Sequence, residues 1–204
     1  MSRADGAGMM NGMEQQDPLD GRRIRLRPWR PDDVDDVVAA CQDAEIQRWT
    51  QVPVPYRRED AEGFVGLVAE ETRAAGGALF AVESQESGNL VGSIGLFPPT
   101  DGFGEIGYWT VEEHRGRGLT AEAVGVLTEW AFSHRGLHRV ELHVDPANAG
   151  SRRVAERAGY LAEGVVRKRF RHRGQPSDVV LYSRLATDPP PREVSGAGSG
   201  GAAP

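Results

Sequence analysis

The chain has 204 residues and a formal net charge of -6, from 24 basic and 30 acidic residues. Such a balance does not suit general binding to a phosphate backbone, and no apolar run of about 18 residues offers a membrane span. The single cysteine, Cys41, excludes an internal disulfide framework, and there is no basic-then-apolar leader, so a cytoplasmic protein without membrane or nucleic-acid partners is expected. Lys168 is the only lysine, and an arginine-dominated, Gly/Ala-rich composition reflects coding bias as much as arginine chemistry.

In chain order, residues 1–19 hold all four methionines without periodicity and read as a disordered leader. Residues 23–28 alternate as a first strand. Pro31-Asp32-Asp33 then opens a helix, with proline early and acids in its first turn. Val34, Val37, Val38 and Cys41 share one face of that helix, which makes Cys41 a core residue rather than a nucleophile. A second helix follows residues 53–58, with Ala61, Phe64, Val65 and Val68 on one side. Residues 78–83 and 90–97 form a hairpin across 84–89. A strand over 104–111, a helix over 121–132, a strand over 138–144, a helix over 148–158 and strands over 164–170 and 178–185 complete the order. Residues 187–204 are a Pro/Gly/Ser/Ala tail that cannot bury a core. Between leader and tail, residues 20–186 form one mixed α/β domain ordered β-α-α-β-β-β-α-β-α-β-β.

Arg115-Gly116-Arg117-Gly118-Leu119-Thr120 stands between a strand and a helix whose Val124, Leu127, Thr128 and Ala131 share a face. First-turn amides have no intrahelical partner, and the helix dipole adds partial positive charge there. Alternate glycines let the backbone approach an anion closely. The spacing excludes a G-x-x-x-x-G-K-[ST] loop, and Ala121 occupies the third glycine position of G-x-G-x-x-G. On these residues alone the segment is a phosphate cradle or an ordinary strand-to-helix loop.

A second informative segment runs from Asp145 to Tyr160. Asn148 stands at an N-cap, Ser151, Val154, Ala155 and Ala158 form a stripe, and Gly159 terminates the helix. Read locally, Asn148 caps and Ser151 sits in the first turn. The R-x-x-G-x-[small] pattern of the first segment resembles the acyl-CoA pyrophosphate loop of GNAT-type N-acyltransferases, with Thr120 where that family usually carries glycine or alanine. The N-x-x-S-x-x-V-x-x-x-x-G-[FY] pattern of the second resembles the ribosomal-protein alanine N-acetyltransferase branch. Leu26-Arg27-Pro28-Trp29, Trp49 before Pro53-Val54-Pro55, Gly107-Tyr108-Trp109, and Asp178 with Tyr182 fit that branch too.

The resemblance implies a GNAT fold: an α/β, mostly antiparallel sheet, splayed between the strands around 104–111 and 138–144, with helices on both faces. It implies acetyl-CoA as cosubstrate and no metal. Arg115, Gly116, Arg117, Gly118, Leu119 and Thr120 would hold the pyrophosphate, and Trp109, Thr110, Val111 and Asn148 the rest of the donor. A main-chain N–H near Thr110 or Val111 is the oxyanion donor, a kind typically worth about 3–4 kcal/mol of barrier. Glu105 is the general-base candidate, relaying a proton through water; the plainer reading is an exposed strand glutamate or an ion-pair partner. Ala155 stands where many relatives carry an acid tyrosine, so Ser151 is the expected acid or relay for the departing thiolate. Glu122 is expected to orient its helix, and His134 with His138 lacks further metal ligands. The basic run 167–173 is either an acceptor-pocket wall, a contact to acidic acceptors or ribosomal RNA, or a solvated edge strand whose charges discourage pairing, the reading taken here.

The expected activity is acetyl transfer to a primary amine, with a protein or peptide N-terminus as acceptor. Rivals are a small amine, a bulkier acyl-CoA, or a non-catalytic acyl-CoA sensor or ribosome-binding module. Nothing in the residues separates a monomer from a homodimer.

Overall fold

A computed structural model of the chain describes residues 16–190. Residues 1–15 and 191–204, most of the expected leader and tail, lie outside the described residues. The strands are β1 (Leu19–Asp20), β2 (Ile24–Arg27), β3 (Ala78–Ser84), β4 (Leu90–Leu96), β5 (Phe103–Thr110), β6 (Arg139–Val144), β7 (Leu161–His172) and β8 (Gln175–Leu185). They form one eight-stranded sheet ordered β1-β2-β3-β4-β5-β6-β8-β7. Neighbouring strands are antiparallel, whether joined by a hairpin or, as β2 and β3 are, through helices, whereas β5 and β6, joined through a 17-residue helix, run parallel.

That parallel pair breaks early. β5 and β6 are in register only from Phe103↔Arg139 to Glu105↔Glu141. Beyond this, β5 stays paired with β4 as far as Thr110, and β6 stays paired with β8 as far as Val144. Each strand is therefore held on its outer side while the inner edges part. The splayed sheet implied by the family resemblance is present.

Helices cover both faces. α5 (Leu119–Arg135) and α6 (Ala149–Arg157) pack on one, and the expected stripe Val124, Leu127, Thr128 and Ala131 is fully buried against Phe80, Ile94, Ile106, Val140 and Leu142. α1 (Val34–Ala40), α2 (Ala44–Trp49), α3 (Arg58–Gly63) and α4 (Ala69–Ala74) cover the other face over β3–β5, where Cys41 is buried with Val37, Ile46 and Tyr56. Burial pushes the Cys41 thiol up to about 11, which leaves it a packing residue.

Three local features depart from the periodicity reading. α2 has six residues and one buried side chain, Ile46, too little for a period to register; Asp43 caps it by accepting from the Ile46 N–H at 2.8 Å. Between α3 and α4 the chain makes a π turn, Phe64–Val68, whose extra residue rotates Val68 out of the expected stripe to 41% exposure. Asp33, one of the first-turn acids, is buried and takes a two-pronged ion pair from Arg27 at 2.7 and 2.8 Å. Leu19, at the end of the expected leader, pairs with Leu26.

Candidate active site

The loop after β5 has the backbone of an anion cradle. Gly116 and Gly118 have φ of 75° and 78°, and Gly118 is the N-cap of α5 with no side chain accepting from the first turn. The amides at the start of α5 thus point outward without a side-chain partner, as phosphate binding requires. A Cβ on Gly118 would come 3.6 Å from Arg23 Nη2 and 3.7 Å from Arg157 Nη1, so two guanidinium groups from other elements flank the cradle. Arg115 has a different part. Its guanidinium donates to Asp43 and, through Nε, to the Thr110 carbonyl at 3.2 Å, so it braces the loop. Burial opposes ionisation of Asp43, and the bonds from Arg115 and the Ile46 amide outweigh it, holding that carboxyl below its usual range.

Thr120 is also structural: its hydroxyl is 2.7 Å from that of Thr110, tying the end of β5 to the first turn of α5. Glu122 accepts from the Arg22 and Arg23 amides at 2.7 Å each and from Arg23 Nε at 2.8 Å, which anchors α5 to the β1–β2 turn. His134 stacks on Trp130 beside Ser133, away from this site.

Main-chain alternation decides which β5 amides face the opened edge. Val111 N–H donates to Val91 O at 2.9 Å and Phe97 N–H to Glu105 O at 2.9 Å, so odd positions point to β4 and even ones to the gap. Of the two expected oxyanion donors, Val111 is engaged in the ladder, which leaves the Thr110 N–H. Trp109 likewise points its main chain at β4, and its ring tilts against Trp29 at 6.4 Å in the helical core.

Side chains alternate as well, which gives β5 two chemically distinct faces. Toward α6, the Tyr108 hydroxyl lies 2.8 Å from Ser151 Oγ. Asn148 caps α6 by accepting from the Ser151 N–H at 2.9 Å, and Gly159, at φ 82°, closes the helix with Tyr160 N–H donating to Ala155 O at 3.0 Å. Burial pushes the Tyr108 phenol up to about 12, so it stays protonated and able to donate. Residue typing at position 155 could not have found this phenol, because it comes from a neighbouring strand.

On the opposite face, Glu105 Oε2 lies 3.2 Å from His143 Nδ1, and His143 Nε2 lies 3.0 Å from Glu141 Oε2. Glu141 also accepts from Arg139 Nε at 2.6 Å, and Arg139 makes a two-pronged pair with Glu163 at 2.7 and 2.8 Å. Burial raises the Glu105 carboxyl above its ordinary range, aided by Glu141 and opposed by His143 and Arg169. A neutral imidazole donates through one nitrogen only, so both of its carboxylate contacts are satisfied when the cluster holds one added proton. Such an arrangement has the chemistry to take up a proton. His143 was missed in sequence because one strand histidine carries no pattern; only the β5–β6 register brings it to Glu105.

A family model described as Acetyltransferase (GNAT) domain matches residues 23–161. The probable N-acetyltransferase YjcK of Bacillus subtilis (strain 168) is 37% identical over 112 residues, which is 53% of this chain and 62% of that protein. The ribosomal-protein-serine acetyltransferase of Escherichia coli (strain K12) is 31% identical over 98 residues, 47% of this chain and 55% of that one. This chain therefore spans less than two thirds of the length of either. Among solved structures, Mycobacterium smegmatis RimJ in complex with CoA-disulfide superposes with a TM-score of 0.74 at 24% identity, covering 83% of this chain and 88% of that one.

Proposed function

Because the chain belongs to the GNAT acetyltransferase family, we propose that it moves an acetyl group from acetyl-CoA to the N-terminal amine of a protein or peptide. The observation that carries this reading is the parting of β5 from β6 directly beside a helix start with free amides. The cradle, residues 115–120 with Arg23 and Arg157 beside it, fits a pyrophosphate, and the β5 edge leads from it to Glu105 and Ser151. The ribosomal-protein acetyltransferase among the relatives supports a protein acceptor.

In this mechanism Glu105, through its contact with His143 or through water, takes one proton from the acceptor ammonium. The neutral amine attacks the thioester carbon, so a C–N bond forms and the C–S bond breaks. The Thr110 N–H donates to the carbonyl oxygen as negative charge grows on it, a contribution of about 3–4 kcal/mol for donors of this kind. The second amine proton passes to solvent water as the amide forms, and solvent returns one proton to the Ser151–Tyr108 pair after it has protonated the thiolate. The thiolate receives a proton from Ser151 Oγ, which Tyr108 can replenish across 2.8 Å.

Thiol release from acetyl-CoA over a panel of N-terminal peptides and small amines tests the proposal. Turnover is expected on peptides. Turnover confined to small amines moves the acceptor class, and CoA binding with no turnover on any amine replaces the enzyme by a sensor.

A further inference from the structure

His143 stands between two carboxylates that are held very differently. Its Nε2 makes a hydrogen bond with Glu141 Oε2 at 3.0 Å, and its Nδ1 lies within ion-pair reach of Glu105 Oε2 at 3.2 Å. Glu141 is tied a second time, because its other oxygen accepts from Arg139 Nε at 2.6 Å, and its side chain is 16% exposed. Arg139 is fixed in turn by the two-pronged bond to Glu163, which also accepts from Ser183 Oγ at 2.6 Å. Arg139 and Ser183 hold the Glu163 carboxyl down at about 2, so this clamp keeps its charges. Glu105 has no second tie. Among the described residues its carboxylate is partnered by His143 alone, and its side chain is 38% exposed.

This asymmetry decides where the ring carries its hydrogen. A carboxylate offers only lone pairs, and a neutral imidazole has a single N–H. With the hydrogen on Nδ1, the Nε2 lone pair would face a Glu141 oxygen that the Arg139 clamp prevents from turning away. With the hydrogen on Nε2, the Glu141 bond is made and the Nδ1 lone pair faces Glu105, the carboxylate that can carry a proton or swing toward solvent. Charged groups reach this ring and its partners from three strands: Glu105 on β5, Glu141 and Arg139 on β6, and Glu163 and Arg169 on β7. β8 contributes Leu181 beside His143 and the Ser183 hydroxyl.

We propose that Glu141 is a positioning residue: clamped by Arg139, it fixes His143 with its hydrogen on Nε2, so that Nδ1 receives from Glu105 the proton taken from the acceptor amine. The proposal rests on the acetyl transfer read above. An ammonium N–H bond breaks, its electron pair stays on nitrogen, and the proton joins a Glu105 oxygen. That O–H bond then breaks as an Nδ1–H bond forms. The proton rests on an imidazolium between two carboxylates, and it returns to solvent through Glu105 once the amide has left.

Nitrogen NMR of the histidine-labelled full chain reads the tautomer without turnover, with His143 assigned from the spectrum of His143→Gln. In the wild type the neutral ring is expected to carry its hydrogen on Nε2. In Glu141→Gln the amide oxygen should stay on Arg139 and the amide NH2 should face Nε2, which moves the ring hydrogen to Nδ1. The ring then donates to Glu105 instead of accepting from it, so kcat should fall roughly 10- to 100-fold, less than on loss of the base itself. KM for acetyl-CoA and for the acceptor should not move. Donation to the ionised Glu105 also favours that form, so the acidic limb of kcat/KM should shift to lower pH. Glu141→Asp keeps a carboxylate and should recover the Nε2 tautomer with part of the rate. A wild-type ring with its hydrogen on Nδ1 overturns the proposal, and the wild-type spectrum decides this whether or not a variant folds. A rate loss in Glu141→Gln with tautomer and acidic limb unchanged also overturns it, leaving Glu141 a support of the sheet. A protein inert on every amine, yet with the hydrogen on Nε2, overturns the transfer and upholds the positioning of the ring, so the two failures are read apart.

Discussion

The two faces of β5 are built by opposite strategies. On the cradle side, the strand end, the glycine loop and the first turn of α5 follow one another in the chain, and the Thr110–Thr120 bond closes a separation of 10 residues. On the other face, Glu105 meets groups from β6, and the β7–β8 hairpin is tied to α2 and the loop after it across 120 and 126 positions, Gln51 to Arg171 and Gln47 to Arg173. In the proposed reaction, donor recognition is thus a local backbone device that needs few particular side chains, and acceptor recognition a tertiary arrangement of charged side chains. Substitutions should accordingly separate into those that act on acetyl-CoA alone and those that act on the amine and its proton.

The largest effect is expected at Glu105. Glu105→Gln keeps the shape and removes the proton acceptor, so kcat should fall by about 10²–10⁴, the usual contribution of general acid–base catalysis. The sign of the pH dependence follows from the raised carboxyl. The base must be ionised to act, so wild-type kcat/KM should decline as pH falls through that elevated value. The acidic limb should vanish in Glu105→Gln while KM for acetyl-CoA stays unchanged. A variant that keeps the limb would return Glu105 to a plain ion-pair partner of His143.

A smaller effect, roughly tenfold in kcat, is expected for Ser151→Ala and for Tyr108→Phe. Because their hydroxyls share one bond of 2.8 Å, the double variant should lose little more than either single one. Additive losses in kcat would show two independent groups and would break the proposed proton route to the thiolate.

The same contrast explains what could be read from sequence. The strand–loop–helix around Gly118, the Asn148 cap with its Gly159 terminator and the buried stripe of α5 are patterns over a few residues, and each is present as expected. Glu105 was visible as a charged residue on the right strand, but its partner His143 was not, because the β5–β6 register that joins them leaves no mark in either segment. The Tyr108 phenol escaped for the same reason, since its neighbour Ser151 lies across an intervening helix and strand. α2 and the π turn between α3 and α4 are short irregularities dictated by packing rather than by periodicity.

The smallest predicted effect tests the local half of the comparison. Gly118 holds φ 78° at the N-cap of α5, where an L-residue with a Cβ costs about 1–2 kcal/mol. Its Cβ would make only ordinary contacts inside the protein, 3.6 Å to Arg23 and 3.7 Å to Arg157. Gly118→Ala should therefore fold with about 1 kcal/mol less stability by urea titration, while its methyl intrudes where the donor's phosphates approach. KM for acetyl-CoA should rise by about tenfold, equivalent to about 1.4 kcal/mol, with acceptor KM unmoved. Gly116→Ala supplies the control, because Gly116 has φ 75° but open space around its Cβ position. Equal stability losses with a KM change only in Gly118→Ala would separate backbone strain from contact with the donor. Equal KM changes in both would mean that loop conformation alone, rather than close approach at Gly118, governs donor binding.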